Sequence, residues 1–175
     1  MVSSPVNILI AGNCRHCRSE MNIDHYAFGL GSVLGNLHSL ECMLRLYLRR
    51  AENNGAIDAV RSLDSLRVGD VVPETAFTNY DTLAMMVGKY NAKVGPAFQV
   101  DAKVVELRDA LAHGRVYGSA STRLPMRLLK FDKPRSGQAT VTYSELLDQA
   151  WLDAKRAWVA GEIEKVAGAL GGVFE

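Results

Sequence analysis

The sequence predicts an all-α fold, an up-and-down bundle of four or five helices with one β-hairpin before the last helix. Apolar residues recur three and four apart over most of the chain. Two short β-prone runs late in the chain flank the turn run Pro134-Arg135-Ser136-Gly137. No internal repeat, low-complexity tract or linker divides the 175 residues, a length that suits one domain.

Residues 1–18 read as an irregular N-terminal arm, and 19–175 as the helical domain. Within the arm, Val6 to Ile10 is a short strand or apolar stretch ended by Ala11-Gly12-Asn13. From about Ser19 to Glu52, the residues Leu30, Val33, Leu34, Leu37, Leu40, Leu44, Tyr47 and Leu48 mark one long helix. Gly29, Gly31 and Gly35 weaken its first half, each by up to about 1 kcal/mol, unless another helix packs closely there. Asn53-Asn54-Gly55 ends it, with Gly55 as a left-handed cap.

Ile57, Val60, Leu63 and Leu66 suggest a shorter second helix, followed by a loop from Gly69 to Pro73. Thr78 and Asp81 resemble a capping box for the next helix, which carries Leu83, Met86, Val87 and Tyr90 and breaks at Gly95-Pro96. A further helix runs from about Asp101 to His113 on Val104, Leu107 and Leu111, with Gly114 as its cap. The hairpin pairs 126–131 with 139–143. Thr142 or Ser144 then caps a last helix from about Glu145 to Leu170, ended by Gly171-Gly172.

Composition narrows the function classes. Hydrophobic residues make up 48% and charged residues 22%, as in ordinary globular proteins. A net charge of +1 provides no global field for nucleic acid, so an anion site must be a local patch. Three cysteines make no disulfide framework, and the odd count points to a reducing compartment. The chain has no Lys or Arg before Arg15, and its longest uncharged stretch, His25 to Leu40, is too short and too polar for a membrane span. The expectation is a cytoplasmic protein with no membrane contact and no cofactor.

The chemistry is concentrated in the helix that ends at His113. Asp109 and His113 are four apart and share a face, so the carboxylate can orient the imidazole. Arg108 and His113 are five apart and sit roughly 140° around the axis, which suggests a groove at a seam between two copies. A histidine can take a proton from a ribose 2′-hydroxyl or give one to the leaving oxygen, and an arginine can hold the phosphate. The plain alternative is a histidine that suits any helix C-terminus, beside solvated charges.

The run from Val104 to Gly118, VVELRDALAHGRVYG, resembles the signature of the HEPN domain superfamily: Arg, four to six residues, then His, with a polar residue directly after the Arg. Arg108, Asp109 and His113 match its three elements. The resemblance implies a four-helix bundle that dimerises and a metal-independent endoribonuclease of a toxin or defence type. Arg108 and His113 would be catalytic, Asp109 supporting, and the products would carry 2′,3′-cyclic phosphate ends. It also implies RNA as ligand and admits a cognate antitoxin as partner. Other members are non-catalytic modules that dimerise or bind RNA or a partner, which is the alternative function. In the toxins paired with nucleotidyltransferase antitoxins, a tyrosine stands two positions after the His. Here that position is Arg115 and the nearest tyrosine is Tyr117, so no regulation through that tyrosine is implied.

Segment 103–135 holds eight basic residues against three acidic ones, the only basic concentration in the chain. Arg115, Arg123, Arg127 and Lys130 are the expected RNA contacts, because phosphate contacts supply most non-specific affinity. Cys14, His16 and Cys17, with His25 or Cys42, fall short of a recognisable zinc pattern, and no metal is expected. Glu41 and Arg45 suggest a surface ion pair, or a pair that positions the motif helix. Trp151 and Trp158 are expected as core or dimer anchors. No phosphate-binding glycine loop, serine-hydrolase elbow or zinc-protease motif occurs.

Overall fold

The computed structural model describes residues 22–53, 63–118 and 124–171. They form four α-helices and a three-stranded antiparallel sheet. The fold is therefore α+β, which corrects the all-α expectation. The expected arm, the Gly55 cap and the Ile57 and Val60 portion of the second helix lie outside the described residues.

Helix α1 spans Ile23–Glu52 and starts where Asn22 accepts a hydrogen bond from the His25 backbone N–H at 2.9 Å. It buries Tyr26, Gly29, Val33, Leu37, Leu40, Leu44 and Leu48. Leu34, expected in that stripe, faces outward. A Cβ on Gly29 would come within 2.9 Å of Leu152 Cδ1, so this glycine lets another helix approach. Gly31 and Gly35 have open space instead. After α1, Leu63–Ser65 form a short 3-10 turn, not a helix that extends to Leu66.

Helix α2, Leu83–Asn91, is capped by Thr82, whose Oγ1 accepts from the Met85 N–H. The expected Thr78–Asp81 box does not form. Thr78 Oγ1 serves the Thr75 N–H in the preceding loop, and Asp81 Oδ2 takes Lys89 Nζ at 2.6 Å. At the other end Asn91 brackets Val100, accepting from its N–H at 2.9 Å and donating to its carbonyl at 2.8 Å. This pairing aims the chain into α3, Lys103–His113, which buries Val104, Leu107 and Ala110.

Strand β1, Arg115–Tyr117, leaves the end of α3 with no loop. It pairs with β2, Met126–Phe131, which pairs with β3, Val141–Leu147. The expected hairpin is thus two strands of a three-stranded sheet. Its turn is Ser136-Gly137 with φ of 51° and 78°, the positive-φ pair of a tight hairpin. The last helix, α4, spans Gln149–Ala169, not Glu145 to Leu170. Glu145 to Leu147 continue the strand because Leu147 is fully buried there, and Asp148 caps the helix by accepting from the Trp151 N–H at 2.8 Å.

Two cores result. Val33, Leu40, Leu44, Met86, Tyr90, Val104, Val159 and Val166 fill the space between helices. Tyr26, Ala110, Leu128, Leu147 and Leu152 join the sheet to the helices. Trp151 packs partly buried against both cores and Trp158 against the helical one, with Lys155 Nζ 5.8 Å and 5.2 Å from their rings. Each large core side chain contributes about 1.5–3 kcal/mol by leaving water.

Gly114 is extended, at φ −74° and ψ 172°, not left-handed as a helix cap would be. Its requirement is steric: a Cβ would overlap the Ala110 carbonyl and lie 2.5 Å from Leu128 Cδ1. Gly114→Ala is expected to cost about 1–3 kcal/mol. Gly88→Ala, in open space on α2, is expected to add up to about 1 kcal/mol. Urea unfolding of both variants checks this, and equal midpoints would contradict it.

Candidate functional site

With Val104, Leu107 and Ala110 turned inward, α3 presents Val105, Arg108, Asp109 and His113 outward. These four cover roughly 140° of the helix surface. They form one wall of an open cleft of about 560 Å³. Arg108 and His113, which do not share a narrow helix face, therefore line the same cleft within one chain. The opposite wall is Glu41 and Arg45 of α1, with Tyr80 to Ala84 at the start of α2.

The His113 side chain is 64% exposed, and its Nε2 stands 3.6 Å from Asp109 Oδ1. The other carboxylate oxygen, Oδ2, accepts from Lys130 Nζ at 2.6 Å. This lysine hydrogen bond holds the Asp109 carboxyl below its ordinary value of 3.8; burial opposes it, and the charges of Lys130, His113 and Arg108 reinforce it. Asp109 is thus an anionic bridge between the sheet and the imidazole. Arg108 is exposed and forms no hydrogen bond or ion pair among the described residues.

Arg45 is more than the expected surface ion pair. Its side chain is 15% exposed. One guanidinium nitrogen donates to the carbonyls of Ala76 and Asn79 and to Asn79 Oδ1, and the other to the Asp81 carbonyl and to Glu41. It fixes the loop that forms the far wall. On that wall Asp81 is also held below its ordinary value, first by the Lys89 hydrogen bond. Tyr80 stands fully exposed at the cleft.

The expected RNA contacts separate. Lys130 belongs to the site itself, tied to Asp109. Arg115 lies on the sheet with its guanidinium 5.2 Å from the centre of the Phe131 ring. Arg127 donates to Ser144 Oγ at 3.1 Å. Arg123, like Cys14, His16 and Cys17, lies outside the described residues. Cys42 is exposed on α1, and no group of three His, Cys, Asp or Glu side chains that could hold a metal occurs among the described residues. No described helix is long and apolar enough to cross a membrane.

The loop-clamping role of Arg45 and the reach of Lys130 were missed in the sequence. Asn79-Tyr80-Asp81, polar turn chemistry just ahead of a helix, was the one signal pointing to a built wall. No protein-family model, curated protein or solved structure matches the chain, so nothing in these comparisons identifies a HEPN domain.

The Asp109 shift has a defined sign. A carboxyl held low in the folded state adds stability above its ordinary pKa and loses it as pH falls through the folded value. The Asp109–Lys130 bridge is therefore expected to hold at neutral pH and open only in acid. Lys130→Met should raise the Asp109 titration midpoint, read by carboxyl carbon NMR. An unmoved midpoint would show that Lys130 does not set it.

Proposed function

We propose that the protein is a metal-independent endoribonuclease acting through Arg108 and His113, with Asp109 as the positioning carboxylate. One observation carries the reading. An exposed imidazole backed by a carboxylate and a guanidinium with no partner among the described residues open into one cleft large enough for a small ligand. The short motif resemblance adds to it.

The chemistry follows from the groups. His113 removes the proton from a ribose 2′-hydroxyl, O2′ attacks phosphorus, and the bond to the 5′-oxygen breaks. That oxygen takes a proton from a second acid, and a 2′,3′-cyclic phosphate remains. Arg108 holds the non-bridging oxygens as charge builds on them. A homodimer would provide the second acid as the partner's imidazole. Support for a second copy comes from the outer face of α1, uncharged from His25 to Leu40, where Phe28 and Leu34 are 69% and 37% exposed and Gly31 and Gly35 leave room for a close neighbour.

The second reading, a non-catalytic RNA-binding module, is favoured by the tighter grip of Lys130 on Asp109, 2.6 Å against 3.6 Å to the imidazole. Assay of RNA cleavage in EDTA separates the two. The nuclease reading expects cleavage to persist there, to fall about 10²–10⁴-fold in His113→Ala, and about 10²–10³-fold in Arg108→Ala. Cleavage that stops in EDTA yet survives His113→Ala would reject it, and no cleavage by the intact protein would leave the binding module. Sedimentation should show a dimer that Phe28→Glu turns into a monomer, and a monomeric active protein would reject the two-copy arrangement.

A further inference from the structure

The sheet has two unlike faces. Residues paired directly across antiparallel strands share a face, and alternate residues along a strand share it too. Leu128 and Leu147 mark the inner face against the helices, where Lys130 also points toward Asp109. The outer face follows from the register. Tyr117 stands opposite Arg127, Arg127 opposite Leu146, and Arg115 opposite Leu129, with Phe131 next along on the same side. Tyr117 is 51% exposed and Leu146 39% exposed.

The geometry points to this outer face as a platform for single-stranded RNA, on the side of the sheet away from the Lys130–Asp109 contact. The inference rests on the reading that RNA is the ligand of the cleft. Rings and arginines together are what an unpaired strand needs, since each base offers a stacking face and each linkage a negative charge. Arg115 already lies over the Phe131 ring at 5.2 Å, a contact through the guanidinium face that leaves N–H groups able to meet phosphate. Strand β1 begins two residues after His113, roughly 7 Å along the backbone from its Cα.

Charge decides the occupant. None of the outer-face residues is acidic, and neither Arg115 nor Arg127 meets a carboxylate among the described residues. A second copy packed face to face would bury four guanidinium groups with no counter-charge, which is costly. A polyanion supplies that charge. A duplex fits less well than a single strand, because its bases are already stacked on one another and give the rings no face to cover.

The test is fluorescence anisotropy with a labelled 2′-O-methyl oligouridine, which binds as RNA does but lacks the attacking hydroxyl. The protein should bind this strand more tightly than a 2′-O-methyl duplex. Tyr117→Ala should weaken binding about tenfold, and Tyr117→Phe should retain it. Arg127→Gln should reduce the salt slope by about 1. Circular dichroism confirms that the variants fold. Unchanged affinity in both Tyr117→Ala and Arg127→Gln would overturn the platform and leave RNA to the cleft. Equal affinity for the duplex, or no binding, would overturn it as well. So would self-association through this face, seen as dissociation of a dimer by Leu146→Arg. Because the oligomer cannot be cleaved through its 2′-position, failure of the nuclease reading appears separately, as absent cleavage of unmodified RNA with sheet-dependent binding intact.

Discussion

The C-terminal end of α3 sits so close to β2 that residue 114 has no room for a side chain. Gly114 donates to the Ala110 carbonyl at 2.7 Å, and a Cβ there would run into Leu128 Cδ1 and the Leu129 carbonyl. The helix therefore passes into a strand with no loop to absorb motion. His113 and Arg115 stand on either side of this contact, so their backbone is placed by it. Asp109, one turn back from His113, comes under Lys130 of the same strand. The close approach at Gly114 thus sets the depth at which helix and sheet meet, and the ion pair sets their registry.

The far wall of the cleft is held by a different device. Arg45 collects carbonyls from Ala76, Asn79 and Asp81, which otherwise would need water. A guanidinium suits this work because its donors are fixed in one plane. Glu41 pairs with it from one turn earlier on α1 and offsets the charge. One wall is thus tied to the sheet through Asp109 and the other to α1 through Arg45, while Arg108 and His113 stay exposed on the first.

Much of the helical fold was legible in the sequence. Leu83, Met86, Val87 and Tyr90 share one face by spacing and all four are buried, and Ser136-Gly137 turns the hairpin as its residue types indicate. The sheet was only partly legible. Three residues carry too little pattern to reveal β1, although Val116 and Tyr117 favour strands. Leu146 and Leu147 fit a helix or a strand equally well by period, and burial of Leu147 against the sheet core settles it. The site shows the same division. Arg108, Asp109 and His113 were visible because they lie on one helix. The contact of Lys130 with Asp109 spans 21 residues and depends on strand register, and the partners of Arg45 are mostly backbone atoms that any residue supplies. Local spacing cannot show either.

On the proposed reading, the cleft breaks a phosphodiester by using the neighbouring 2′-oxygen as nucleophile. The most direct measurement replaces that single hydroxyl by hydrogen at a mapped cleavage position in an otherwise unmodified RNA, and follows both linkage and end groups by mass spectrometry. The all-ribose strand is expected to yield 2′,3′-cyclic phosphate and 5′-hydroxyl ends, and the substituted linkage to stay intact. Scission of the substituted linkage at a comparable rate would contradict it.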